Sequence, residues 1–554
     1  MKILSLSVLA LVSLPVVAQM AMDHPAKPDA AAAPERLGTV SFSISCAPAV
    51  QKPFNRGLAQ LHDFGYDEAL QQFQEIAKSA PDCAMAHWGV ALSYFHQIWN
   101  RPSESDMANG WAAIQQAQSQ SAKTPRESAY IAAVSDFYRP GKQQFPERVQ
   151  AYSDDMGKLY SQYPDDVDAG AFYALSLLAA APPDDTSLAA NRKAMAVLTP
   201  LFAKYPDNPG VDHYITHACD NPEMAAEGLA AANHYGEIAQ SSSHAYHMPG
   251  HIYARLGLWP QDIHANLGSV AAAEAAQVKY GNAIMYEPHA YDFLLYAYLQ
   301  SGQDDRAKWV LNQTAEILPK IASMAAMSDH HDLRMETMGP AYRTKYAVFY
   351  ALETRDWNSA VKLEPAPDAP PQTAMLAVWA RAIGHGHLGQ PQEAQADLVN
   401  YDAFLDKVKK SKHSYEAEDT ATKIEHEEIL AWVAFAEDKQ DEALKNIRAA
   451  ADLQDKVGQG EVDIPAREML ADMLLESHQP QQALAQYAIA LKLSPNRFNG
   501  LYHAGLAAEA AGDKAKAQQY YAALLKSTNN GSTSARPEFA HVKEFISSTQ
   551  SASK

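Results

Sequence analysis

Small and aromatic residues recur in this chain at offsets that suit a stacked helical hairpin. Ala483, Tyr487, Ala490 and Pro495 stand at offsets 20, 24, 27 and 32 of a 34-residue unit, and Gly505, Ala517 and Tyr521 begin the next, with Ala517 placed 34 residues after Ala483. Segment 54–81, FNRGLAQLHDFGYDEALQQFQEIAKSAP, repeats the pattern with Gly57, Ala69, Phe73 and Pro81. A unit this short cannot bury its own apolar face, so it must stack on its neighbours. Looser copies stand at Gly257, Gly302, Trp357 with Ala360, Gly389 and Ala443, and no alternating strand pattern appears.

These offsets are those of the tetratricopeptide repeat. They predict an all-α fold, a TPR-type α-solenoid of stacked helical hairpins in two lobes. The Pro-rich stretch EPAPDAPPQ at 364–372 cannot continue a helix, because proline lacks the amide and clashes with the preceding turn, so the cut between lobes is placed there. The expected division is a signal peptide at 1–18, a flexible leader at 19–38, an N-terminal lobe at 39–363, the linker at 364–372, a C-terminal lobe at 373–526 and a frayed tail at 527–554 with one short helix near His541. Between 112 and 203 the repeat offsets are lost, and only helical hairpins are inferred.

Met1-Lys2, the apolar run 3–17 and the small residues Val16 and Ala18 have the form of a secretory leader cleaved after Ala18. The run is too short to span a bilayer. A periplasmic or secreted protein is therefore expected. In an oxidising compartment the 3 cysteines allow one disulfide. Cys46 and Cys83 share a short N-terminal section and are the expected pair, leaving Cys219 free. Three buried thiols are the alternative.

The formal charge of −20, with 45 Lys+Arg against 65 Asp+Glu and no basic run, argues against nucleic acid and anionic lipid surfaces. The 21 histidines, about twice the usual share, need a reason. Eight fall between 201 and 300: His213, His217, His234, His244, His247, His251, His264 and His289. His213 and His217 lie four apart on one helix face, which Asp220 also reaches. The second run, SSSHAYHMPGHIYARLGLW, puts Pro249 in a first helical turn with His251, while His244 and His247 sit on the approach. His213, His251 and His289 are spaced 38 residues apart, one imidazole per successive first helix. Imidazoles reaching from adjacent helices can share a metal at about 2.0–2.1 Å from each nitrogen. His213, His217, Asp220, His244, His247, His251 and His289 are thus the candidate metal residues. A transition metal ion (Zn, Cu, Fe or Ni) suits imidazole and carboxylate donors without a CxxC motif. A hydrogen-bonded histidine lattice holding no ligand is the competing reading.

The runs HYITHACD, HAYHMPGHIYARLGLW and EPHAYDFLLYAYL, with CAMAHWG around Cys83, resemble a group of exported bacterial tetratricopeptide-repeat proteins over about residues 45–302. The resemblance implies the solenoid fold and export, and it marks His213, His217, His244, His247, His251 and His289 as recurring polar positions. It supplies no reaction. The pattern has a histidine where this chain has Asn208, and often a glutamate where it has Asp220.

Other chemistry is sparse. Nucleophile elbow, phosphate loop, dinucleotide fingerprint and haem motif are all missing. Met248, Met285 and Met335 read as packing residues rather than copper ligands. Trp88, Trp99, Tyr214, Tyr253 and Tyr291 read as core. The polar loop His330-His331-Asp332 with Glu336 could reach the groove as a lid, although a solvated loop explains it too. His62, His87, His96, His385, His413, His426, His478 and His503 read as structural or surface histidines. Two functions follow: a metal-binding groove, catalytic if Asp220 or Glu287 accepts a proton, or an adaptor holding a protein or peptide partner in the concave groove.

Overall fold

The computed structural model describes residues 35–98, 101–121, 123–141, 143–182, 185–280, 287–327, 333–366, 369–411, 419–531 and 534–552. The signal segment 1–18, the leader to residue 34, Trp99, Met285, His330, His331, Asp332 and His413 lie outside them, as do the side chains of Met335 and Glu336. Among the described residues the chain forms helices and no strand, and no helix is long and apolar enough to cross a membrane.

Helices Gln51–His62 and Tyr66–Ser79 form the first hairpin, and the repeat residues explain its closeness. Ala69 and Phe73 are fully buried, and a Cβ on Gly89 in the following helix would come within 2.5 Å of the Phe73 ring. Near the other end Ala483, Tyr487, Ala517 and Tyr521 are equally buried, with Gly505 against Tyr521. The offsets therefore mark helix contacts. In the stretch without offsets, Glu104–Ser119, Pro125–Tyr138, Phe145–Gln162, Val167–Ala179 and Ala189–Lys204 follow in turn. Ser103 and Thr124 open two of them with capping boxes, each satisfying amides that a helix start leaves unpaired.

The apolar core falls into two large clusters, one over residues 37–252 and one over 254–542, with a small third around Tyr235 and Met248. The two cores meet near residue 253, and the helices flanking the proline-rich stretch at 364–372 both belong to the second. Helices on both sides of that stretch share one core, Tyr346 and Phe349 before it with Trp379 and Ile383 after it. The C-terminal repeats also return to the middle of the chain. Trp259 donates to the Asn496 carbonyl at 2.8 Å, and Asn496 donates to the Gly257 carbonyl at 3.1 Å. Gly257 has φ +63°, and a side chain there would strike the Pro495 carbonyl, so glycine is required for both reasons.

Two terminal expectations need correction. Residues 35–38 of the predicted flexible leader are packed, with Leu37 buried and the Gly38 amide bonded to the Ile238 carbonyl at 3.0 Å. The helix expected near His541 in the tail is present and longer than expected, Glu538–Ala552. Phe539 and Val542 bury there, and Arg536 pairs with Asp304 at 2.7 Å, which together hold the segment down.

Cys46 and Cys83 are bonded, with Cα atoms 5.2 Å apart, and Cys219 is free and buried. The unfolded, unreduced protein should therefore offer one thiol to a titrant and three after reduction. Closing a loop across 37 residues is worth about 4 kcal/mol in chain entropy, so reduction should lower the denaturation midpoint accordingly. Three reactive thiols before reduction would overturn the pairing.

Candidate metal centre

Six helices build the site: α1 (Gln51–His62), α2 (Pro209–Cys219), α3 (Ser243–His247), α4 (Pro249–Leu256), α5 (Trp259–Tyr280) and α6 (Glu287–Gln300). Asn208 caps α2 by accepting from the Val211 amide, and Pro209 fits its first turn, so His213 and His217 fall on one face with rings 4.6 Å apart. Pro249 divides α3 from α4, but Met248 between them keeps helical dihedrals. His247 and His251 therefore still meet as residues four apart.

The six imidazoles form two adjoining triads. His213, His217 and His244 bring one nitrogen each within 4.8 Å of one another, and so do His247, His251 and His289. The His244 and His247 rings join the triads, 6.4 Å between centroids. Of the three histidines spaced by 38, His251 and His289 share a triad and His213 belongs to the neighbouring one. A ring walls each triad. Phe64, whose φ is +55°, has its centroid 4.3 Å from His213, and Phe293 lies 4.7 Å from His247.

The hydrogen bonds fix which nitrogens can act as ligands. His213 Nδ1 donates to the His62 carbonyl at 2.6 Å, so its Nε2 carries a lone pair, and that Nε2 lies 3.1 Å from His244 Nε2. His247 Nδ1 donates to Asn266 Oδ1 at 2.6 Å, and its Nε2 lies 2.9 Å from His251 Nε2. His251 Nδ1 sits 2.9 Å from Asp220 Oδ2 and 2.9 Å from Glu461 Oε1. Two nitrogens on one ion, each about 2.0–2.1 Å from it, lie about 2.9 Å apart at a right angle and about 3.4 Å apart at the tetrahedral angle. Both Nε2 pairs have that spacing. His217 Nε2 is buried and has no hydrogen-bond partner.

Burial keeps His213 and His289 neutral, down at about 3, and pushes His217, His244 and His247 well below the ordinary histidine value. Burial opposes charge on His251 as well, but Asp220 and Glu461 outweigh it and lift that imidazole to about 10. A proton on His251 Nε2 then bridges to His247 in the metal-free protein. Arg255 closes the cluster, 3.0 Å from Asp220 Oδ1 and 3.0 Å from Glu461 Oε2. Both oxygens of Asp220 are thus engaged, and Asp220, His251 and Glu461 themselves bring one donor atom each within 4.8 Å of one another.

Glu461, Asn266, Phe64 and Phe293 were not anticipated. Glu461 lies in GQGEVDIP, a segment that reads as a connector, and no local pattern links it to residues 220–289. The remaining sequence candidates lie apart from the array. His234 donates to Asp212, His264 packs on Tyr246, and Met248 is buried in the small core cluster. Glu287 is buried, with its carboxyl raised to about 7 by that burial, and it belongs to neither triad. His503 is half-buried, and its Nδ1 donates to the Asn499 carbonyl.

In the metal-free protein all six imidazoles should be silent between pH 5 and 9 in an NMR titration, five staying neutral and His251 staying charged. Because its folded value is raised above the unfolded one of about 6.5, His251 stabilises the fold fully below that pH, and the contribution is lost as pH rises toward 10. Asp220→Asn should move His251 down into the observed window. A wild-type His251 titrating near 6.5 would refute the carboxylate clamp.

The tetratricopeptide repeat family matches residues 55–104 and 468–532 of the chain. No curated protein matches it in sequence. Among solved structures, the human IFIT1 dimer with m7Gppp-AAAA is similar at 12% identity over 80% of this chain and 90% of that chain, with a TM-score of 0.33. Yeast Tom70 is similar at 11% identity over 91% of this chain and 96% of that chain, with a TM-score of 0.32. The chain thus carries tetratricopeptide repeats toward both ends, with the histidine array between them in sequence.

Proposed function

We propose that this protein is an exported helical-repeat protein that binds a transition metal ion through the histidine array. The observation that carries the reading is the His247–His251 pair. Each Nδ1 is held by an oxygen acceptor while the two Nε2 atoms face one another at 2.9 Å, an arrangement that needs a cation between them, proton or metal. The Nε2 atoms of His213 and His244 also face one another, at 3.1 Å, with His213 Nδ1 held by the His62 carbonyl. Zinc, copper, iron and nickel all accept neutral imidazole, and the donor set disfavours magnesium and calcium, which prefer oxygen. A bound ion with an open coordination position would act as a Lewis acid, and three protein ligands per triad leave room for one. The leader at 1–18 supports export to the periplasm, and the Cys46–Cys83 bond fits an oxidising compartment.

The tetratricopeptide repeats favour a second reading, because such stacks commonly present extended surfaces to protein partners. An adaptor for a peptide or cell-envelope protein would need no ion. Metal analysis of protein purified without a histidine tag separates the two. The wild type should carry metal, His251→Ala should lose a large part of it, and His426→Ala, on a half-buried ring paired with Asp402 away from the array, should keep it all. A wild type that carries and binds no metal would end the metal reading and leave the adaptor.

A further inference from the structure

We infer that the array holds two metal ions, one on each triad, with unequal affinity; this rests on the metal reading above. Donors of one ion must lie within about 4.2 Å of each other even when opposed, twice the usual metal–nitrogen distance. In each triad one pair of Nε2 atoms already meets that limit, His213 with His244 at 3.1 Å and His247 with His251 at 2.9 Å, and the third imidazole, His217 or His289, brings a nitrogen within 4.8 Å, so that it has only to move in slightly to share the ion. Each therefore has the three imidazoles of a complete zinc-type site, and a single ion would leave three of the six without a role. Each triad also has its own supports. The His62 carbonyl orients His213, Asn266 orients His247, and Phe64 and Phe293 wall separate sides. The unpartnered, buried Nε2 of His217 points to a ligand in the first triad independently of the second.

The supports differ in charge. His213 leans on a neutral carbonyl, whereas His251 leans on two carboxylates that share Arg255 as a fixed countercharge. A carboxylate behind an imidazole makes it a stronger donor, and such partners are worth about 10- to 100-fold in metal affinity. A divalent ion that binds there takes the place of the proton between His247 and His251, and the two carboxylates attract its double charge more strongly than the single charge of the proton it displaces; the second triad is accordingly the tighter site for a divalent first-row ion, and the first fills afterwards.

The test is a zinc titration of the untagged, metal-stripped full chain, read by bound equivalents against a chromophoric chelator, with helicity followed by circular dichroism. The wild type should bind two equivalents in two phases separated by about 10- to 100-fold. His217→Ala should abolish the weaker phase alone and His289→Ala the tighter one alone; both residues are half-buried, so folding should survive. Asp220→Asn should weaken only the tighter phase, by about 10- to 100-fold. One equivalent in the wild type would overturn the two-ion inference and leave the metal reading standing. Loss of both equivalents in one helical variant would also overturn it, whereas no binding by the wild type would fail the metal reading itself.

Discussion

The clamp on His251 is the interaction on which the rest of the centre depends. One imidazole Nδ1 lies between Asp220 and Glu461, and Arg255 ties the far oxygens of both. Four ionisable groups in a largely buried place would be costly singly, since desolvation penalises each charge. As a closed ring of alternating sign they satisfy one another, and the ring sets the direction of His251 Nε2. Through that atom it sets His247, and through the adjoining rings it reaches His289 and His244.

The helical repeat explains why such a ring can form in a protein without a sheet. A stacked hairpin presents its first helix to the same side at every repeat, so side chains separated by one period become neighbours. Here α2, α4 and α6 each contribute imidazoles in that way. The interruption at Pro249 adds a second source, because α3 brings His244 and His247 onto the same side just before α4 begins. The array is therefore denser than one histidine per repeat would give.

Much of this was legible in the sequence. Gly57, Ala69, Phe73 and the pair Ala483 and Ala517 revealed the helical stack, and the 38-residue spacing pointed to the histidine face. The assignment of His213, His251 and His289 to equivalent positions was only partly matched, since the short α3 sends His244 to His213 and leaves His251 with His247 and His289. Glu461 was hidden because periodicity reports contacts between neighbouring repeats, and this residue reaches the site through the return of the C-terminal repeats to the middle of the chain. Phe64 was hidden for another reason: its left-handed backbone, which turns the ring onto the histidines, has no signature in a phenylalanine codon. The grouping of the apolar cores was hidden because prolines mark where a helix stops, and helices on either side can still pack together.

The return of Glu461 has a consequence for how the centre comes into being. Arg255 and Glu461 are 206 residues apart, so a chain emerging from its N-terminus exposes all six histidines long before their second carboxylate exists. An early metal ion would meet an imidazole array without its complete anionic backing, and the geometry of His251 would be unset until the last repeats docked. Loading of the clamped triad by the proposed ion would then record completed folding, and a chain truncated before residue 461 would keep all six imidazoles of the array yet lack the finished clamp.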